Sequence, residues 1–245
     1  MGFTEFLILQ VLAHLLADFF FQTQRMAEDK NARGFKSSYL TWHILIVFLL
    51  SWGLSFQLKF FIGAGVIAIL HYFIDGMKAK WNDHSRLQNS IFFIDQALHV
   101  IVLLSVSFAY SHFYRLEFWW EPNWSVNTWA IITAYLFCMR PANFIIKEIL
   151  KSSNINIMIA EQEAAGVLSE TVELPNAGKL IGTLERLLTL TFILIGEFEA
   201  VGFLLAAKSL LRYKDTDTLK SEYVLIGTML SFGMAVVLGI IAMAI

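Results

Sequence analysis

The feature that most constrains this chain is a pairing of histidine and aspartate, four residues apart, which recurs three times inside apolar segments. The pairs are His14 and Asp18 in VLAHLLADFFFQ, His71 and Asp75 in AILHYFIDGMK, and Asp95 and His99 in FFIDQALHVIV. On a helix this spacing places both side chains of a pair on one face. The composition predicts only about 0.3 such pairs by chance. Because ionisable groups inside apolar helices are costly, all three pairs are candidates for a functional site.

The apolar segments themselves predict a membrane protein. The chain has 245 residues, of which 57% are hydrophobic and 16% charged. Its apolar runs reach about 17–25 residues, the length that a helix needs to cross a bilayer. We therefore expect an all-α, polytopic bundle of transmembrane helices with about seven spans, at 3–22, 38–55, 58–79, 91–113, 128–147, 187–209 and 222–245. A hinge near Gly196 would instead make 180–213 a hairpin and raise the count to eight.

The pattern divides the chain into four parts. Residues 1–113 form a four-helix membrane module with the His/Asp pairs, and 114–147 contain an outer aromatic loop and the fifth helix, which Pro141 interrupts. Residues 148–180 are a polar cytoplasmic segment, and 181–245 are the C-terminal membrane helices. The single cysteine, Cys138, excludes an intrachain disulfide and argues against a cysteine-based zinc site.

Lysine and arginine predict the orientation. Basic residues follow the first helix and separate the third from the fourth, whereas the loop after the fourth helix is rich in tryptophan. Cytoplasmic loops carry the excess of basic residues, so the N-terminus should lie outside. In that orientation the aspartates of the pairs lie about 6–8 Å and the histidines about 9–14 Å inside the cytoplasmic ends of their helices. His43 of the second helix falls at the same depth.

A layer of imidazoles and carboxylates predicts a metal site, since both groups ligate zinc, manganese and iron. Zinc is the favoured ion. The predicted metal ligands are His14, His43, His71, Asp75 and His99. Asp18 and Asp95 are predicted as ligands or catalytic bases, and Gln22, Lys78 and Gln96 as substrate contacts. For Lys78 the role of a topological anchor is favoured over substrate contact.

Three functions fit these residues. A metal-dependent hydrolase would act on a lipid or a phosphate-containing substrate near the cytoplasmic leaflet. A carrier would pass a metal ion or protons, but few polar residues continue towards the outer face, which favours an enzyme. A scaffold would use the pairs only as hydrogen-bonded locks between helices and would bind a partner protein through 148–180. The net charge of −2 gives no reason to expect nucleic-acid binding.

Several motifs in a constant order carry a family resemblance. They are HLLADFFFQTQRMAEDK, HYFIDGMK and FFIDQALH, followed by NAGKLIGTLERLL, GFLLAAKSLLRY and EYVLIGT. Together they resemble the bacterial integral membrane family catalogued as domain of unknown function 3307, which implies a multi-pass protein of the inner membrane and no particular reaction. The paired residues are also distantly similar to those of membrane-bound metal-dependent hydrolases.

Overall fold

The computed structural model of the protein describes residues 2–82, 90–120, 124–153, 177–212 and 218–245. These residues form helices, and no strand occurs among them. The α-helices are α1 (Phe3–Leu15), α2 (Gln24–Arg33), α3 (Ser38–Ser55), α4 (Phe61–Asn82), α5 (Ile91–Phe113), α6 (Val126–Met139), α7 (Pro141–Ser152), α8 (Ala177–Leu194), α9 (Phe198–Arg212) and α10 (Thr218–Ala244). The chain divides into two compact units, Met1–Thr133 and Ala134–Ile245.

The predicted all-α class is confirmed, whereas the count of seven spans is not. Within the described ranges, five helical segments are long and apolar enough to cross a membrane: Phe3–Phe20, Ser38–Ser55, Leu58–Trp81, Ile91–Phe113 and Glu222–Ala244. A sixth is possible if α6 and α7 are one span, bent by 46°. The bend falls at the predicted interruption, where Pro141 begins α7. Proline lacks the N–H that would continue the hydrogen-bond ladder of α6.

The predicted single span over 187–209 is wrong. The helix breaks after Leu194, and Gly196 adopts a φ of +82°, which disfavours any residue with a Cβ atom. A partly buried ion pair between Lys208 of α9 and Glu185 of α8 shows that the two helices double back on each other. The predicted hinge near Gly196 is therefore present, but neither α8 nor α9 is among the candidate spans, so the count of eight is not confirmed.

The first unit is built on α1, α3, α4 and α5, which pack as antiparallel neighbours. Their buried side chains recur every three or four residues, as in Asp95, His99, Leu103 and Ser107 of α5. We call the end where α1 stops and α3 begins the α2 end. The opposite end is closed by the rings of Phe6, Phe60 and Tyr110, whose centroids lie 4.9–5.8 Å apart.

The segment between α1 and α3 contains a helix that the sequence analysis missed. Thr23 caps the start of α2, since its hydroxyl accepts a hydrogen bond from the Met26 N–H at 3.3 Å. The helix ends at Gly34, with a φ of +52°. A Cβ atom on Gly34 would lie 2.7 Å from the carbonyl oxygen of Gly76, so α2 is held closely against α4. This contact places Lys30 of α2 inside the bundle.

In the second unit, Arg186 is the main buried polar side chain, with 2% of its surface exposed. It donates to the Cys138 carbonyl oxygen at 2.9 Å, to Ser231 Oγ at 3.0 Å and to Asn143 Oδ1 at 2.6 Å. The guanidinium thus joins α6, α7, α8 and α10 and satisfies a carbonyl beside the bend at Pro141.

Candidate metal centre

The four helices of the first unit bring the predicted histidines and aspartates together in one buried cluster. We define the cluster as His14, Asp18, His43, His71, Asp75, Asp95 and His99. His43 is fully buried, and the other six side chains are at most 10% exposed. None of these side chains therefore faces lipid, and their burial requires partners of complementary charge or hydrogen bonding.

Asp18 reaches the cluster through a local change of helix geometry. The regular helix α1 ends at Leu15, and Leu16–Phe20 form a π-helical turn that contains Asp18. π-helical turns are rare in proteins overall, and those that occur are often found at functional sites. Asp18 Oδ1 lies 3.4 Å from His43 Nε2 and 3.5 Å from His71 Nε2. The carboxylate therefore contacts two other helices, beyond the partner four residues before it in α1.

The centre of the cluster is a set of four donor atoms. His43 Nε2 and His71 Nε2 are 3.0 Å apart. Asp75 Oδ2 lies 3.5 Å from His43 Nε2 and 3.6 Å from His71 Nε2, and Asp18 Oδ1 completes the set at the distances given above. Tetrahedral zinc with nitrogen and oxygen ligands requires donor atoms about 3.3–3.5 Å apart. Five of the six distances among these atoms are 3.0–3.6 Å, close to such edges, and His43, His71 and Asp75 together form a group of three possible ligands.

The three histidine–aspartate pairs with four-residue spacing do not form hydrogen bonds within each pair. His14 Nδ1 and Asp18 Oδ1 are 3.7 Å apart, and His71 Nε2 and Asp75 Oδ2 are 3.6 Å apart, both too long for a hydrogen bond. Both ring nitrogens of His99 lack a hydrogen-bond partner among the described residues. The shortest contact between imidazoles, His43 to His71, joins two helices instead. The geometry therefore excludes a hydrogen bond within each pair, whereas the contact of His43 with His71 still links α3 to α4.

Two lysines contact the cluster from the α2 end. Lys30 forms a buried ion pair with Asp75 Oδ2, and Lys78 Nζ lies 2.8 Å from Asp95 Oδ2. Gln96 Nε2 also donates to Asp95 Oδ2, at 3.3 Å. The predicted substrate contacts Lys78 and Gln96 thus hold a carboxylate of the cluster, while Gln22 Oε1 is buried without a hydrogen-bond partner among the described residues.

Sequence reasoning missed Lys30 and a set of buried polar residues beyond the cluster. Gln10 precedes His14 by one helical turn and exchanges hydrogen bonds with Ser51, at 3.0 Å to its carbonyl oxygen and 2.6 Å from its hydroxyl. Ser107 is also fully buried. The expectation that few polar residues continue from the cluster towards the outer face is wrong. The signal was present in the sequence, because Gln10–His14–Asp18 continues one four-residue spacing, whereas nothing local marks Lys30.

A small cavity lies between the cluster and these polar residues. Its volume is about 20 Å³, and its lining includes His14, His71, His99, Gln10 and Ser51. That volume accommodates about one water molecule, for which the polar side chains offer partners, although the lining also includes the apolar Val47, Ile67 and Leu103. The cavity therefore has room for about one water molecule beside the imidazoles.

Together, the apolar helices and the buried polar cluster define a membrane-type helical bundle with a candidate metal centre. Residues 6–127 match the model of the family described as Protein of unknown function (DUF3307), which confirms the predicted resemblance over this part of the chain. No curated protein and no solved structure gives a significant match to the chain. The family description assigns no activity, and the function must be argued from the cluster.

Proposed function

We propose that this protein is an integral membrane metalloprotein, whose first unit binds a divalent ion between His43, His71, Asp18 and Asp75. The observation that carries the proposal is the set of five donor-to-donor distances of 3.0–3.6 Å, which are close to the edge lengths of a tetrahedral site. Zinc suits this geometry best, and manganese or iron also accept the same ligand types. In this assignment Asp18 is a metal ligand, and His43 is one of the central ligands.

The charge of the cluster supports a cation. With neutral imidazoles, three carboxylates and the two lysines leave one net negative charge in a buried volume. An uncompensated buried charge is strongly unfavourable. One divalent ion reverses the balance to a net charge of one positive, which a hydroxide or an anionic substrate would neutralise. The lysines themselves orient Asp75 and Asp95, as outer groups commonly do for ligating carboxylates.

The reaction class that fits best is metal-dependent hydrolysis of a phosphate-containing or lipid substrate. A bound divalent ion would lower the pKa of a water molecule. His14 lines the cavity of about 20 Å³, and its Nε2 is buried without a hydrogen-bond partner among the described residues. We assign His14 as the proton acceptor for a water held in that cavity. In the orientation predicted from lysine and arginine, the cluster lies near the cytoplasmic leaflet and its headgroups.

Metal content is the first test. Detergent-purified protein should contain at least one ion per chain by element analysis, and His43→Ala and Asp18→Asn should lose it. His112→Ala is the matched control, because His112 lies on α5 but is exposed and outside the cluster. A metal-free wild-type protein that binds no added zinc, manganese or iron would overturn the proposal.

Hydrolysis is the second test. Metal-loaded protein in detergent micelles is offered p-nitrophenyl phosphate and phosphatidic acid, and released phosphate is measured. His14→Ala should retain its metal but lose activity by about 10²–10⁴-fold, the usual contribution of general base catalysis. Equal rates in His14→Ala and wild type would exclude His14 as the proton acceptor. A metal-loaded protein inactive on both substrates would argue against a phosphoester hydrolase.

Transport of a metal ion is the second candidate, and the buried Gln10, Ser51 and Ser107 favour it by extending polarity away from the cluster. The rings of Phe6, Phe60 and Tyr110 oppose it, because they close the end beyond these residues. Zinc uptake into reconstituted vesicles would distinguish the two candidates. Uptake that depends on His43 would favour transport.

A further inference from the structure

A second group of metal-ligand side chains adjoins the tetrahedral set. Asp75 belongs to both groups: its Oδ2 faces His43 and His71, whereas its Oδ1 lies 3.8 Å from His99 Nε2. One donor atom from each of Asp75, Asp95 and His99 lies within 4.8 Å of the others. All three side chains are at least 95% buried. A carboxylate with its two oxygens directed at different donor groups has the arrangement of a bridging ligand.

Three atoms of this second group lack a hydrogen-bond partner among the described residues. Both ring nitrogens of His99 and Asp95 Oδ1 are buried without a hydrogen-bond partner among the described residues, as is the neighbouring His14 Nε2. Leaving one such group unsatisfied costs about 1–3 kcal/mol. Lys78 and Gln96 bind the other oxygen of Asp95, so Oδ1 remains available. Lone pairs on nitrogen and oxygen, converging in a buried space, are satisfied together by a cation.

We propose that the protein binds a second divalent ion through His99, Asp95 and Asp75, with the Asp75 carboxylate bridging it to the first ion. This inference rests on the proposed function, because it requires the first ion at His43, His71 and Asp18. Two ions about 3.5–4 Å apart are a recurring arrangement in enzymes that hydrolyse phosphate esters. Helical bundles build such pairs from carboxylates and histidines on facing helices.

Charge predicts the order of binding. The first ion changes the net charge of the cluster and its two lysines from one negative to one positive, and a second ion raises it to three positive. Repulsion therefore makes the second ion bind more weakly than the first, and a bound hydroxide would reduce the excess positive charge. The two sites should fill in sequence as the ion concentration rises.

The experiment is a titration of metal-free, detergent-purified full-length protein with Mn²⁺. Bound ions are counted by equilibrium dialysis with element analysis, and electron paramagnetic resonance reports whether two Mn²⁺ ions are spin-coupled. We expect two ions per chain, the second weaker, with the coupled signal appearing as it binds. His99→Ala should bind one ion with an uncoupled signal. His112→Ala, on the same helix, should behave as wild type.

Each outcome separates this inference from the proposed function. A single ion in the wild type overturns the second ion and leaves the first in place, whereas no bound ion overturns both. Two uncoupled ions, or two ions in His99→Ala, would place the second ion away from Asp75 and overturn the inference. If His99→Ala does not fold, the wild-type count and coupling still decide, and Asp95→Asn replaces it as the variant expected to bind one ion.

Discussion

Lys30 and Asp75 form a buried ion pair although 45 positions separate them in the chain. The lysine belongs to α2, a short helix outside the four long helices, and the aspartate belongs to α4. Each is only 5% exposed. The pair therefore links the segment that covers the α2 end of the first unit to the centre of the cluster.

Replacing Lys30 with methionine should destabilise the metal-free protein strongly. Removing one partner of a buried ion pair costs about 3–5 kcal/mol, because the other charge is left uncompensated. A divalent ion bound at Asp75 would compensate that charge. We therefore expect Lys30→Met to lower the Tm much more without metal than with it. Lys36→Met, at an exposed lysine a few residues away, is the control. An equal loss of Tm in both states would contradict metal binding at Asp75.

Gly34→Ala should displace α2 from α4. The new Cβ would lie 2.7 Å from the Gly76 carbonyl oxygen, and the φ of +52° is unfavourable for alanine. Strain of about 1–3 kcal/mol is expected, measured as a lower Tm and faster proteolysis between α1 and α3. Gly53→Ala is the matched control, since its Cβ would meet no atom within 4 Å. A Gly34→Ala protein as stable as the control would show that the close contact is dispensable.

The ion pair between Glu185 and Lys208 provides a test of the hairpin formed by α8 and α9. Each single charge reversal, Glu185→Lys or Lys208→Glu, should lower the Tm, because like charges then meet at a partly buried position. The double reversal should recover stability, with a coupling free energy of about 0.5–3 kcal/mol, typical of residues in contact. Additive effects would indicate that the two residues do not meet.

Arg186→Met should weaken the second unit. The substitution removes the donors to the buried Cys138 carbonyl oxygen and to the partly buried Asn143 Oδ1, and a buried acceptor left without a partner costs about 1–3 kcal/mol. Lys147→Met, which removes an exposed cation from α7, should leave the Tm nearly unchanged. A similar Tm for the two variants would contradict a structural role for Arg186.

Much of the first unit was predictable from local pattern. Helices α3 and α5 occupy the predicted ranges, and the four-residue spacing of His14 and Asp18 indicated that both belong to one cluster. The breaks at Pro141 and Gly196 each had a local signal, since one residue lacks a backbone donor and the other tolerates a positive φ. The hinge was predicted only as an alternative, because hydropathy over 187–209 alone suits a continuous helix.

The sequence by itself determined that apolar helices would carry histidine and aspartate at matching depths, because side-chain direction on a helix repeats with a fixed period. Only the tertiary structure decided which atoms meet. It placed His43 at the centre, divided Asp75 between two donor groups and inserted Lys30 from α2. Those contacts depend on the rotation and separation of neighbouring helices, which arise from packing across many residues at once and leave no periodic trace in the chain.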